Sequence, residues 1–220
     1  MPNYRGSSGR GQRFASYSRG GMGAYDEPDL VSMTQHLVAQ GWADKDRLVV
    51  GGWSQGGYLS YLSAVRNGAH DLDWKFRGAI CGAGVSGWDT MVMTSDIGYE
   101  QAQYAGRAPW AATAKHDALS RSGSAIWEFR EAAEARRMPP LLILHGQDDK
   151  RVPVSQAHGF RRALDQTGLM GQTEFVTFVS LSKLTNIKHR YPREGHHFTE
   201  RKHVEDMMGR MVSFIAKNLE

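Results

Sequence analysis

Three residues of the kinds that together transfer acyl groups fall in the order Ser54, Asp149, His196. Ser54 is the middle of Gly52-Trp53-Ser54-Gln55-Gly56, a G-x-S-x-G pattern. A short, β-branched apolar run from Leu48 to Val50 precedes it, and a run with Tyr58, Leu62 and Val65 on one helical face follows it. A serine on a sharp turn from a buried strand into a helix has its hydroxyl pushed out of the fold, and Gly52 and Gly56 leave room for that turn. The first N–H groups of a helix have no partner within it, so the Gln55 N–H can point at an anion forming beside Ser54.

A serine hydroxyl is too weak an acid to attack unaided. An imidazole must take its proton and later return it to the leaving group, and a carboxylate must fix the tautomer of that imidazole. Asp149 follows the apolar run Pro140 to Leu144, within His145-Gly-Gln-Asp-Asp149-Lys-Arg-Val-Pro153. His196 lies in Tyr191-Pro-Arg-Glu-Gly-His196-His197-Phe198. Spacing alone separates neither Asp148 from Asp149 nor His197 from His196. The chain order serine, acid, histidine is the one that α/β-hydrolases use. His145, at a strand end next to glycine, reads as a structural histidine bonded to a loop carbonyl, and His36 and His116 read as surface or helix-face residues. The paired histidines lack a ligand-spaced cysteine or carboxylate cluster, so no metal is expected, and a serine served by an imidazole and a carboxylate needs no cofactor.

These groups require a scaffold of alternating helices and buried strands. A helix is expected from Glu27 to Gly41, with Leu30, Met33, Leu37 and Val38 as its apolar stripe and Asp29 near its positive end. Strands are expected at Leu48–Val50, Ala79–Ala83, Pro140–Leu144 and Thr173–Phe178. Further helices are expected over Ala125–Arg137, after Pro153, with Val154, Ala157, Phe160 and Leu164 buried, and over Lys202–Leu219, with Met207, Met211, Phe214 and Ile215 inward. The pattern predicts an α/β fold with a mostly parallel sheet, functional groups gathering past the carboxyl ends of its strands. Residues 1–23, rich in glycine, serine and arginine, read as a flexible loop. The stretch from Asp89 to Met138 is poorly legible beyond its helical run.

At 220 residues, 40% hydrophobic and 23% charged, the chain is long enough to bury one core. Its formal charge of +4 is spread among acidic residues, which does not favour a nucleic-acid surface. No apolar run is long enough to span a membrane. The single Cys81 excludes an internal disulfide framework and fits a reducing compartment, so a cytoplasmic location is expected.

Together, Gly52-Trp-Ser-Gln-Gly-Gly-Tyr58, His145 to Pro153 and Tyr191 to His196 resemble the catalytic domain of the prolyl oligopeptidase family, which includes acylaminoacyl and dipeptidyl peptidases. Asn3-Tyr-Arg-Gly-Ser-Ser-Gly9 resembles a loop of the same domains, so the resemblance covers nearly all of residues 1–220 as a single peptidase domain. It implies that Asp149, the fifth residue of H-G-x-x-D, is the acid and that His196, after Glu-Gly, is the base. It also implies a substrate-carbonyl role for Arg151, and a specificity pocket lined by Trp88 and Met91. The activity implied is a serine peptidase acting on short or N-acylated peptides; a carboxylesterase of the same fold and a weakly active or inactive fragment of a larger peptidase are the alternatives. Peptide is then the partner, together with a homo-oligomer or an N-terminal propeller.

Two departures from the family stand out. Its first strands and one oxyanion donor come from upstream of this sequence, so a sheet lacking those strands is expected. Val179 to Arg190 reads as an insertion, with a retained intron as its suggested origin.

Overall fold

The computed structural model describes residues 2–112, 121–177 and 194–220. Helix α1 is Gln12–Ala15 and α2 is Asp26–Ala39; strand β1 is Leu48–Trp53 and α3 is Gln55–Val65. Strand β2, Phe76–Gly82, precedes α4 (Trp88–Thr94), α5 (Gly98–Tyr104) and α6 (Ala125–Glu134). Strand β3, Leu141–Leu144, is followed by α7 (Ser155–Gln166), β4 (Thr173–Val176) and α8 (Arg201–Leu219).

The four strands make one parallel sheet in the order β1-β2-β3-β4, in which Gly52 pairs with Cys81, Cys81 with Ile143 and Ile143 with Phe175. Parallel strands need long crossovers, and helices supply them, so both faces of the sheet are covered. Alternation along β3 divides the core: Leu141 and Ile143 join the large cluster with Tyr61, Leu62, Phe129 and Phe160, whereas Leu142 and Leu144 pack with Ile80, Val176 and Phe214 of α8. This is an α/β sheet flanked by helices, the architecture of an α/β-hydrolase.

Several elements depart from their local pattern. Helix α3 is not buried on one stripe: every residue from Gly57 to Val65 is buried, including Ser60 and Ser63. Ser60 satisfies its hydroxyl on the Gly56 carbonyl at 2.8 Å. In α2 the expected apolar stripe is incomplete, because Met33 is exposed while Asp26 and Glu27 are buried. A cation explains Glu27: Arg66 donates to Glu27 Oε2 at 3.2 Å, to Glu128 at 2.6 and 2.7 Å and to the Gly23 carbonyl at 2.6 Å. On α8, Phe214 is buried but Ile215 is exposed.

Within residues 1–23, read as a loop, α1 forms, Met22 enters the core and Tyr4 packs against it. Arg5 ties this segment to α2 through the Asp29 carboxylate, from 2.6 to 3.0 Å. The poorly legible stretch holds α4 and α5, helices of seven residues each, too short to display periodicity. Strand β4 ends at Val176, and Phe178, residues 179–190, read above as an insertion, Tyr191 and His116 lie outside the described residues. No helix among the described residues is long and apolar enough to cross a membrane.

Candidate active site

Strand β1 delivers the chain into the turn at Trp53-Ser54, and α3 begins at Gln55. Ser54 has φ 57° and ψ −112°, a backbone state that costs a non-glycine residue roughly 1–3 kcal/mol. The neighbouring strand holds it there, with the Ser54 N–H donating to the Gly82 carbonyl at 2.8 Å. The glycines do different work from their pattern. A Cβ on Gly52 would lie 2.6 Å from Gly56 Cα, and one on Gly57 would lie 2.2 Å from the Gly82 oxygen, whereas a Cβ on Gly56 meets nothing within 4 Å. It is Gly52 that must lack a Cβ, because it approaches the Gly56 backbone, while Gly56 itself has open space; Gly57 is the glycine that lets α3 close on β2.

The end of β3 supplies the acid side. His145 is buried, with Nε2 2.7 Å from the Val152 carbonyl oxygen and 3.5 Å from Asp149 Oδ2. Asp149, also buried, accepts the Val152 N–H on Oδ1 at 2.9 Å and meets His196 Nδ1 with Oδ2 at 2.8 Å. Asp148 faces solvent. Burial raises the Asp149 carboxyl, but hydrogen bonds from His145, His196 and the Val152 backbone outweigh it and hold the group at about 2. Ionised, Asp149 can only accept, so His196 carries its proton on Nδ1. Nε2 is left free to accept, and it stands 2.8 Å from Ser54 Oγ.

The loop carrying His196 is held by groups that lie within the motifs but to which the sequence assigned no role. Trp53, the residue before the serine, donates its indole N–H to the His196 carbonyl at 2.7 Å and sets its ring against Phe198 at 5.1 Å. The adjacent His197 ring is exposed, 5.0 Å from that of His196. Glu194 is buried and accepts from the backbone of Thr199 and Glu200 at 2.9 Å each and from His203 Nδ1 at 2.8 Å. Glu194, Glu200 and His203 bring donor atoms within 4.8 Å of one another, the one grouping among the described residues with metal-like spacing. The bonds that Glu194 already makes tie it to the loop.

The remaining candidates separate. Trp88 borders a cavity of about 540 Å³ that also touches Gln55. Met91 does not: it is buried in the core cluster and is not among the residues lining that cavity. Arg151 is on the surface, its Nε donating to Asp96 Oδ1 at 2.8 Å. A larger apolar cavity, about 810 Å³, opens between β1 and α8 beside Trp53, Phe198 and Met211 and borders neither Ser54 nor His196.

The chain matches the model of the prolyl oligopeptidase family over residues 1–220. An uncharacterized peptidase, YuxL, of Bacillus subtilis is 29% identical over 197 residues, covering 88% of this chain and 26% of that protein. Dipeptidyl peptidase 8 of Mus musculus is 33% identical over 151 residues, 67% of this chain and 15% of that protein. The acylamino-acid-releasing enzyme of Arabidopsis thaliana is 30% identical over 175 residues, 76% of this chain and 21% of that protein. Among solved structures, an acylaminoacyl peptidase of Pyrococcus horikoshii superposes with a TM-score of 0.76 at 22% identity, over 99% of this chain and 31% of that one. A puromycin-hydrolyzing peptidase of Mycobacterium tuberculosis does so with 0.78 at 22% identity, over 99% of this chain and 29% of that one. The chain thus spans about a quarter or less of the curated relatives it matches.

Proposed function

Because this chain belongs to the prolyl oligopeptidase family, we propose that it is the hydrolytic part of a serine-type peptidase that cleaves short or N-acylated peptides through an acyl-enzyme. One observation carries the reading: the two nitrogens of a single imidazole, His196, stand 2.8 Å from Ser54 Oγ and 2.8 Å from Asp149 Oδ2. That is the contact a serine needs to lose its proton as it attacks.

Ser54 Oγ adds to the substrate carbonyl carbon while His196 Nε2 takes the hydroxyl proton. The carbonyl oxygen becomes an oxyanion, and the Gln55 N–H at the start of α3 donates to it, where the helix end also favours negative charge. The imidazolium gives its proton to the departing amine, and the C–N bond breaks to leave an ester on Ser54. A water then repeats the sequence, with His196 again as base, and frees the acid and the serine. Asp149 stays ionised throughout and stabilises the imidazolium. Arg151 keeps its remaining guanidinium donors available to a substrate carbonyl while Asp96 holds its Nε.

A fluorophosphonate probe should modify Ser54, and neither Ser54→Ala nor His196→Ala should react. Turnover of N-acylated peptides is expected to exceed that of simple alkyl esters; turnover of the esters alone would replace the peptidase with a carboxylesterase. Failure of the wild-type protein to label would overturn both.

A further inference from the structure

Asp26 opens α2 with its side chain buried, 3% exposed, on the wall of the 540 Å³ cavity that Gln55 and Trp88 share. Its two oxygens are unequally engaged. Oδ1 accepts the backbone N–H of Gly23 at 2.7 Å and of Glu27 at 3.0 Å. Oδ2 takes one side-chain hydrogen bond, a long one of 3.4 Å from Gln55 Nε2. No salt bridge reaches Asp26 among the described residues, since Arg66 spends its donors on Gly23, Glu27 and Glu128.

A turn-forming role accounts for Oδ1 but not for Oδ2. A buried carboxylate without a cation is costly. Here burial raises the carboxyl above its usual range, against the Gly23 and Glu27 N–H groups and the more distant Arg66. Of the two arginines bordering the cavity, Arg5 is neutralised by Asp29 and Arg19 stands exposed. The buried charge on the wall of the cavity is therefore that of Asp26; Ser54 and His196 do not line the cavity, which meets the serine turn at Gln55, the residue after the nucleophile.

We propose that this cavity receives a positively charged group of the peptide half that acylates Ser54, an ammonium or guanidinium, with Asp26 Oδ2 as its counter-ion. This rests on the peptidase reading of Ser54 and adds a substrate class to it. The cation is supplied either by a lysine or arginine side chain next to the cut bond or by a free amino terminus.

The test uses the intact protein and N-acetylated arginine, lysine, glutamine and leucine anilides, with unblocked leucine anilide as a further arm. Arginine and lysine should exceed glutamine by roughly tenfold or more in kcat/KM. A preference of that size for unblocked over acetylated leucine would instead assign the cation to the amino terminus. Asp26→Asn keeps the Oδ1 acceptor and removes the charge. It should abolish whichever preference is seen while changing acetylated leucine less than about threefold. In the wild type alone, N-acetyl-arginine amide should slow fluorophosphonate labelling of Ser54 more than N-acetyl-norleucine amide does. No preference for either cation, or an equal loss for charged and neutral substrates in Asp26→Asn, overturns the proposal. Labelling that arginine amide does not slow overturns the side-chain source, and absence of labelling overturns the peptidase reading beneath it.

Discussion

The indole N–H of Trp53 donates to the carbonyl oxygen of His196 across 2.7 Å. A residue adjacent to the nucleophile thereby holds the backbone of the base, although 143 positions separate them in sequence. Ring contact between Trp53 and Phe198 closes the same clasp.

Trp53→Phe retains that ring packing and deletes only the donor. If the bond positions His196, kcat falls about tenfold to hundredfold with KM little changed, because small misplacement of a reacting group is expensive. Thermal unfolding should shift by no more than about 1 kcal/mol. A kcat within twofold of wild type would assign the bond to loop packing alone.

Asp149 and Asp148 differ in burial and partner, so their amide variants should differ sharply. Asp149→Asn should lower kcat by about 10⁴, and Asp148→Asn by less than about threefold. Peptide turnover by the two purified variants decides between them; equal effects would reject Asp149 as the orienting acid.

The depressed Asp149 carboxyl, at about 2, also makes an acid-stability signature. A group whose folded pKa lies below its unfolded one, near 3.9, stabilises the fold above that value and ceases to as pH falls through the folded one. Wild type should therefore lose on the order of 2 kcal/mol more than Asp149→Asn between about pH 4 and pH 2. Parallel denaturant melts across that window supply the comparison, and identical slopes would contradict it.

Arg66 is the cation of a three-residue network with the buried Glu27 and the half-buried Glu128. Arg66→Ala strands the Glu27 carboxylate, with an expected cost of about 3 kcal/mol at neutral pH. Burial already raises the Glu27 carboxyl, against the attraction of Arg66, so protonation is within reach and the deficit should shrink as pH falls. Adding Glu27→Gln should likewise restore part of the loss. Urea unfolding that finds Arg66→Ala as stable as wild type would show that the network contributes nothing net.

At the elbow, Gly52→Ala drives a methyl group to 2.6 Å from Gly56 Cα, and Gly57→Ala drives one to 2.2 Å from the Gly82 oxygen. Both should abolish fluorophosphonate labelling of Ser54. Gly56→Ala, with open space at its Cβ, should keep at least about a tenth of it. Labelling equally lost in all three would mean that the helix start, rather than the turn, needs glycine.

What the sequence determined by itself is local. A β-branched run, a glycine-flanked serine and an apolar helical run are short-range signals, which is why β1, the turn at Ser54 and α3 are legible in the sequence. Strands β2 and β3 and helices α6, α7 and α8 were readable for the same reason, with ends shifted by a few residues. Periodicity cannot report a partner far along the chain. It therefore made Met33 a core residue, gave no sign that Asp26 and Glu27 are buried, and read residues 1–23 as a loop although Arg5 docks them on Asp29.

Spacing left open which of two adjacent aspartates meets which of two adjacent histidines; the family resemblance pointed to Asp149 and His196, and the tertiary structure supplies the physical reason. Neighbours on a loop share composition and spacing and differ only in direction. Asp149 is turned inward by the Val152 N–H, and His196 is held by the indole of Trp53 and the carboxylate of Asp149. Those bonds join β1, β3 and the loop before α8, so the direction of each side chain exists only once the strands have paired.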